Sequence, residues 1–215
     1  SSPSPSPSPS TSRVDAGPAG SITPAEQARS LFKAKRAAEG VPILRAASNS
    51  GDHEATTLLG EWYLQGRGMK NADLGEAVRL IRLAAADRYP RAFTLLGDLY
   101  RRGLGVPQSD DVARSWYWEA AKARDPKGMQ FFGDMLRTGK GGKKKGVEAE
   151  LWLSRAAAAG RPAAMYSLAV MHDEGQGIPK NPKKARGWYS RALSGLSGRG
   201  KEHAQKRLRE LAPKE

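Results

Sequence analysis

Cysteine is absent from the 215 residues. No disulfide framework and no thiolate metal site can form, and the redox compartment cannot be read from the chain. Histidine is scarce. His53, His172 and His203 are the three copies, none stands four residues from another, and no His-Glu-x-x-His pair exists. Such a set predicts no metal site. Without cysteine, a covalent nucleophile would have to be Ser or Thr beside a His, and the Gly-x-Ser-x-Gly elbow of hydrolases is missing. No cofactor is expected. No apolar run approaches the roughly 18 residues a membrane span needs. Val, Ile and Thr are sparse beside an abundance of Ala, which favours helix over strand.

Acidic residues are in deficit, and unevenly so. The formal charge is +14. Residues 23–108 hold 13 Lys/Arg against 9 Asp/Glu, whereas residues 109–215 hold 22 against 12. A field of this sign draws acidic partners, nucleic acid or anionic lipid, chiefly to the C-terminal half; solvated helix faces rich in Lys and Arg are the plainer explanation.

The chain opens at Ser1 rather than Met, with SSPSPSPSPSTS. An upstream segment is expected to have been removed, either a signal peptide or part of a longer protein. Alternating Ser and Pro buries no apolar surface, so residues 1–22 are expected to form a disordered tail. These features lean towards a periplasmic or secreted protein, with an organellar or cytoplasmic one as the alternative. Order is expected from Thr23-Pro24-Ala25-Glu26, a capping box with Pro at the first helical position.

What the chain does have is self-similarity. Gly66, Gly103, Gly139 and Gly175 recur at about 36 residues, each followed two positions later by Gly68, Gly105, Gly141 or Gly177. Ala77, Ala113, Ala149 and Ala185 form a second column. Leu80, Trp116, Trp152 and Trp188 form a third, and Pro90, Pro126 and Pro162 mark boundaries. Each unit reads as two helices. The first carries a small residue in mid-helix (Gly60, Gly97, Gly133, Ala169), where a neighbouring helix should cross at close range. The Gly-x-Gly pair ends it through a left-handed cap. The second helix, starting near Asp73, Asp110, Gly146 and Pro182, buries an Ala–Trp–Ala stripe. Such a pair cannot bury its apolar face alone, so the copies must stack.

We expect a half-repeat at 23–53, units at 54–90, 91–126, 127–162 and 163–198, and a closing helix at 201–212. The half-repeat is expected as helices at about 24–39 and 42–50 joined by Gly40-Val41-Pro42. Trp152 should be buried between Trp116 and Trp188, so its loss should damage the fold more than loss of Trp62, which lies outside that column.

The pattern Ala92, Leu96-Gly97, Tyr100, Gly103-Leu104-Gly105-Val106, Asp110, Ala113, Trp116-Tyr117, Ala120-Ala121 resembles the Sel1-like repeat, a branch of the tetratricopeptide-like solenoids. The resemblance covers about residues 54–195. It implies an all-α, right-handed α-solenoid of antiparallel helix pairs that serves as a non-catalytic adaptor or scaffold for a partner protein or peptide. The β-lactam binding linked to a few cysteine-rich members is not carried over. Ala169 and His172, in place of Gly and Tyr, suggest looser packing late in the stack.

Phosphate binding by the glycine pairs is not supported. Each pair follows a helix rather than a strand, and Gly139–Gly146 lacks the Gly-Lys-Ser/Thr ending of a P-loop. The first helices should line the concave side. Three columns at i, i+4 and i+8 share a face there. They are Thr57, Thr94, Gln130 and Tyr166; Glu61, Asp98, Asp134 and Val170; and Gln65, Arg102, Thr138 and Glu174. Reversing Asp98 and Asp134 should then weaken partner capture and leave melting unchanged. The alternative is a polyanion binder, an acidic polymer, nucleic acid or lipid surface meeting Lys140, Lys143, Lys144, Lys145, Lys180, Lys183 and Lys184 on stacked loops.

Overall fold

The computed structural model describes residues 22–212, so the tail expected at 1–22 falls almost wholly outside the described residues. Within them lie eleven α-helices, one short 3-10 turn and no strand. The helices are α1 (Pro24–Lys33), α2 (Ala37–Asn49), α3 (His53–Gln65), α4 (Leu74–Ala86), α5 (Pro90–Arg102), α6 (Asp110–Lys122), α7 (Pro126–Thr138), α8 (Gly146–Ala158), α9 (Pro162–Glu174), α10 (Pro182–Ala192) and α11 (Gly198–Glu210). Successive antiparallel pairs stack into a right-handed α-solenoid. The first helices of neighbouring units touch directly, α1 with α3, α5 with α7 and α7 with α9, while no two second helices are in comparable contact. The first helices therefore lie on the inner side of the curve.

Local chemistry explains the boundaries. Thr23 and Glu26 form the expected capping box. Asp52, Asp73, Ser109, Asp125 and Asn181 each accept a backbone N–H in the first turn of the helix they precede. Gly66, Gly103, Gly139 and Gly175 all take the left-handed conformation that ends a first helix. The second glycine of each pair has a tertiary reason as well. A Cβ at Gly68, Gly105, Gly141 or Gly177 would run into the backbone at the start of the preceding unit's second helix, at Ala37, Leu74, Asp110 or Gly146. The loops thus stack along one edge.

The mid-helix glycines mark close crossings. A Cβ would lie 2.8 Å from Ile81 at Gly60, 2.5 Å from the Tyr117 ring at Gly97, and 2.8 Å from Leu153 at Gly133. The deepest column of the second helices is therefore Ile81, Tyr117, Leu153 and Tyr189, all fully buried. The neighbouring column is less uniform: Leu80 and Trp152 are buried, but Trp116 and Trp188 only partly.

The N-terminal region departs from the sequence reading. Gly40-Val41-Pro42 is not a linker but lies within α2, and the turn falls at Ala34–Arg36, with Lys35 at φ 61. Pro42 forfeits one helical hydrogen bond. Gly40 and Leu44 on either side are buried, and Gly40 is small because the Trp62 ring occupies the space of its side chain. Helix α2 is in effect a second helix of a preceding unit, with Gly40, Leu44 and Ala47 matching Ala77, Ile81 and Ala84. Trp62 is 1% exposed and Trp152 8%, so Trp62, whose loss was expected to be the milder because it lies outside the column, is the most deeply buried tryptophan. The late units are not loose either: Ala169 and Met171 are fully buried and His172 is 4% exposed.

Candidate functional site

The inner face is built by the first helices, and its central column turns out to be a ladder between units. Glu61 of α3 receives Arg91 of α5, with Nη2 at 2.7 Å from Oε1 and 2.9 Å from Oε2. Asp98 of α5 receives Lys127 of α7 at 3.1 Å, the Tyr117 hydroxyl at 2.8 Å and Arg101 at 3.0 Å. Asp134 of α7 accepts the Ser167 hydroxyl of α9 at 2.7 Å. The last rung is displaced by one turn. Val170 cannot carry it, and Asp173 instead takes Arg207 of α11 through two bonds of 2.6 Å and the Tyr189 hydroxyl at 3.1 Å. Arg207 also pairs with Glu210.

Burial tunes these carboxyls differently. Burial pushes Asp98 upwards, but Lys127, Arg101 and Tyr117 outweigh it and hold the group below its ordinary value. At Asp134 burial prevails over Ser167 and Arg137, and the pKa is raised. The Arg207 hydrogen bonds lower that of Asp173. Burial lowers the pKa of His172, whose Nε2 lies 3.1 Å from Glu150 and whose Nδ1 has no hydrogen-bond partner.

The twelve residues expected on the concave face therefore divide. Thr57, Thr94 and Gln130 are buried and work within the fold: Thr57 bonds the carbonyl of His53, Thr94 the carboxylate of Asp125, and Gln130 accepts from Arg161 at the head of α9. They are corrected from contact to framework residues, because i+4 from the helix start points between units. Tyr166 is half-buried, its hydroxyl 3.0 Å from His203 Nδ1. Glu61, Asp98 and Asp134 line the face but are already engaged. Reversing Asp98 and Asp134 should accordingly lower the melting point, contrary to the expectation from sequence. Gln65, Arg102, Thr138 and Glu174 are exposed.

Between these columns the structure opens a cleft of ≈ 250 Å³ bordered by Glu61 of α3, Arg91 and Leu95 of α5, Lys127 of α7 and Arg161 at the head of α9. Beside it Phe131 is partly buried, with Lys127 Nζ 5.4 Å and Arg101 5.6 Å from its ring centre. Sequence reasoning missed Leu95 and Phe131. Their column, Leu58, Leu95, Phe131 and Ser167, is apolar in three units and polar in the fourth, and nothing marks it as inward-facing before the register is known.

The lysines of the alternative site are all exposed. The second of their loops packs on the helix ends that flank the first: Gly177 abuts Gly146 of α8, and Arg137 of α7 donates to Gln176 at 2.7 Å. Lys144 shares a cleft with Thr138 there. Lys145 is paired with Glu148 at 2.9 Å. Among the described residues no group of three or more His, Asp or Glu is gathered as a metal site, and no helix is long and apolar enough to cross a membrane.

The Sel1 repeat family model matches residues 53–88, 91–125, 126–160 and 162–195. The chain belongs to the Sel1 repeat family. A Sel1 repeat protein from Oxalobacter formigenes superposes with a TM-score of 0.72 at 27% identity, over 86% of this chain and 74% of that one. The c5321 protein of uropathogenic Escherichia coli, described as a protective antigen displaying an SLR fold, gives 0.71 at 25% identity over 88% of this chain. This chain spans 41% of that one. A sel1 repeat protein from Klebsiella pneumoniae, at 0.57 and 17% identity over 87% of this chain and 91% of that one, shares the fold. No curated protein matches the sequence. Sel1 repeat solenoids are generally non-catalytic scaffolds for protein interaction. The family model begins at residue 53, after the α1–α2 pair.

Proposed function

We propose that this Sel1 repeat protein is a non-catalytic adaptor that holds a segment of a partner protein along its inner face. The cleft across α3, α5, α7 and the start of α9 carries this reading. Leu95 and Pro126 give it apolar surface between charges of both signs, with Phe131 beside it, the mixture of anchor and polar rim that protein interfaces use. The exposed column of Gln65, Arg102, Thr138 and Glu174 flanks it. A photo-crosslinking residue placed at Gln65, Arg102 or Thr138 should capture the partner in cells, with mass spectrometry naming it. The same probe at Leu83 or Arg155 on the second helices should not. Equal capture from both sets would overturn the inner-face assignment. A periplasmic or secreted location goes with this reading, and cell fractionation tests it.

A second reading has an observation behind it. The cleft that Lys144 of loop 139–145 shares with Gln176 and Gly177 of loop 175–181 supports a basic ridge for an acidic polymer. Such binding should fall steeply with salt. An affinity for polyphosphate that is flat between low and physiological salt excludes it.

A further inference from the structure

The second helices repeat contacts of their own. In each, the fifth residue reaches the unit that follows. Val78 of α4 lies against Gly105 of the next loop; Arg114 of α6 donates to the carbonyl of Lys143 at 3.2 Å; Glu150 of α8 pairs with His172. The matching residue of α10 is Arg186, which is exposed and makes no hydrogen bond or ion pair among the described residues. Beside it Gly187 faces open space, with nothing within 4 Å of where its Cβ would stand.

The same helix positions line two clefts 72 residues apart in register. On α6 they are Asp111, Arg114, Ser115 and Trp118, and the far wall is the next unit's loop and second helix, through Gly141, Lys145 and Glu148; the space left is ≈ 360 Å³. On α10 they are Lys183, Arg186, Gly187 and Ser190, the far wall is reduced to Leu211 at the end of α11, and the space widens to ≈ 590 Å³. Helix α11 sits where a first helix of the next unit would, its buried Ala204 one repeat beyond Leu168. The cleft is where the second helix of that unit would pack.

We propose that this slot on α10 docks an acidic amphipathic helix of a partner protein. The shape is that of a helix seat, and helix-in-groove recognition needs an apolar stripe on the incoming helix. Pro182, the bare backbone at Gly187 and Leu211 supply the surface for it. Charge selects the occupant. Residues 175–201 contain seven Lys/Arg and no Asp or Glu. At α6 the facing charges are mixed, Asp111 and Arg114 against Lys145 and Glu148; at α10 they are of one sign. A second copy stacked by its N-terminal end would bring Lys33 and Lys35 towards Lys183 and Arg186, while Arg36 there is already paired with Glu39, so among the described residues no acidic group is left there to offset the repulsion and self-association is disfavoured.

The test uses the full chain and a fluorescein-labelled synthetic peptide of about 18 residues, long enough to be helical, with Leu along one stripe and Glu elsewhere. Binding is read by anisotropy. Lys183→Glu with Arg186→Glu should weaken it by about tenfold or more. Gly187→Trp should weaken it to a similar degree without altering charge, by filling the seat, while circular dichroism and melting show no loss of fold; Ser190→Trp is a second steric variant should the first disturb the helix. Lys33→Glu with Lys70→Glu, the same charge change at the other end of the stack, should leave affinity within about twofold. Three results overturn the proposal. One is equal weakening by both charge pairs, which means a diffuse field. Another is binding indifferent to both steric variants and displaced by polyphosphate, which means a polyanion edge. The third is self-association of the full chain that Gly187→Trp abolishes. The slot lies on the second helices, so its failure leaves the inner-face reading standing, and the reverse holds too.

Discussion

Two tryptophans divide the labour of the core unequally. Trp62 fills the space over Gly40 and packs 6.1 Å from Phe32, so it ties α1, α2 and α3 together. Trp152 meets Phe132 of its own unit at 5.9 Å and Trp118 of the preceding unit at 5.5 Å, both edge-on. Truncating a buried Trp costs about 3–5 kcal/mol through lost burial and the cavity left. Trp62→Ala should reach the upper end of that range and exceed Trp152→Ala in a thermal melt. The carboxyls also behave individually. The lowered pKa of Asp173 means that its contribution is present above the unfolded value near 3.9 and is lost as pH falls through the folded one. Asp173→Asn should cost roughly 1–3 kcal/mol at pH 7, since Arg207 is only partly screened, and the penalty should vanish in acid. Asp134 has the opposite sign. Its raised pKa favours the protonated form in the fold, so Asp134→Asn should cost less at neutral pH than Asp173→Asn. Urea titrations at pH 7 and pH 3 compare the two.

At the scale of the element, each unit is closed by glycines of two kinds, and substitution should separate them. Gly97→Ala drives a methyl into the Tyr117 ring inside a packed crossing, a case of overpacking expected to cost about 1–3 kcal/mol. Gly141→Ala is expected to be worse. It meets the carbonyl of Asp110 and must also hold a φ of 65°, and neither a backbone nor a dihedral can step aside. Gly187→Ala, in a helix with open space beside it, should instead gain up to about 1 kcal/mol from helix propensity. Differential scanning calorimetry on the three variants orders them; a stabilised Gly141→Ala would mean that the loops do not stack on the preceding helix as described.

At the scale of the molecule, the core is a row of neighbouring clusters, one joining α1 to α4 and others following along the stack. Coupling in such arrays runs between neighbours, so damage should stay near its origin. Hydrogen exchange followed by mass spectrometry should show Trp62→Ala opening α1–α4 first while α7–α10 keep their protection. Trp152→Ala should do the reverse, from α7 and α8 outwards. Uniform loss of protection in both would mean that the stack unfolds as one unit. The four inter-unit rungs, ending in Asp173–Arg207, extend the same nearest-neighbour logic to the inner face.

Repeat period, helix pairing and the left-handed glycine caps were legible in the sequence because each depends on residues close together in the chain: a 3.6-residue stripe, a cap, a residue without Cβ. The solenoid followed, since helix pairs of that pattern can bury their stripes only by stacking. What the inner face exposes was not legible. Thr57, Thr94 and Gln130 occupy the helical positions of a contact column, yet their polar atoms are taken up by His53, Asp125 and Arg161. Asp98 and Asp134 read as free charges until Lys127 and Ser167 arrive from about thirty residues away. Gly40-Val41-Pro42 reads as a break until the ring of Trp62 is seen to fill the space above Gly40. A pattern of local spacing determines which face of a helix is turned inward; only the packing of one unit on the next decides which groups on that face are already satisfied and which remain to meet a partner.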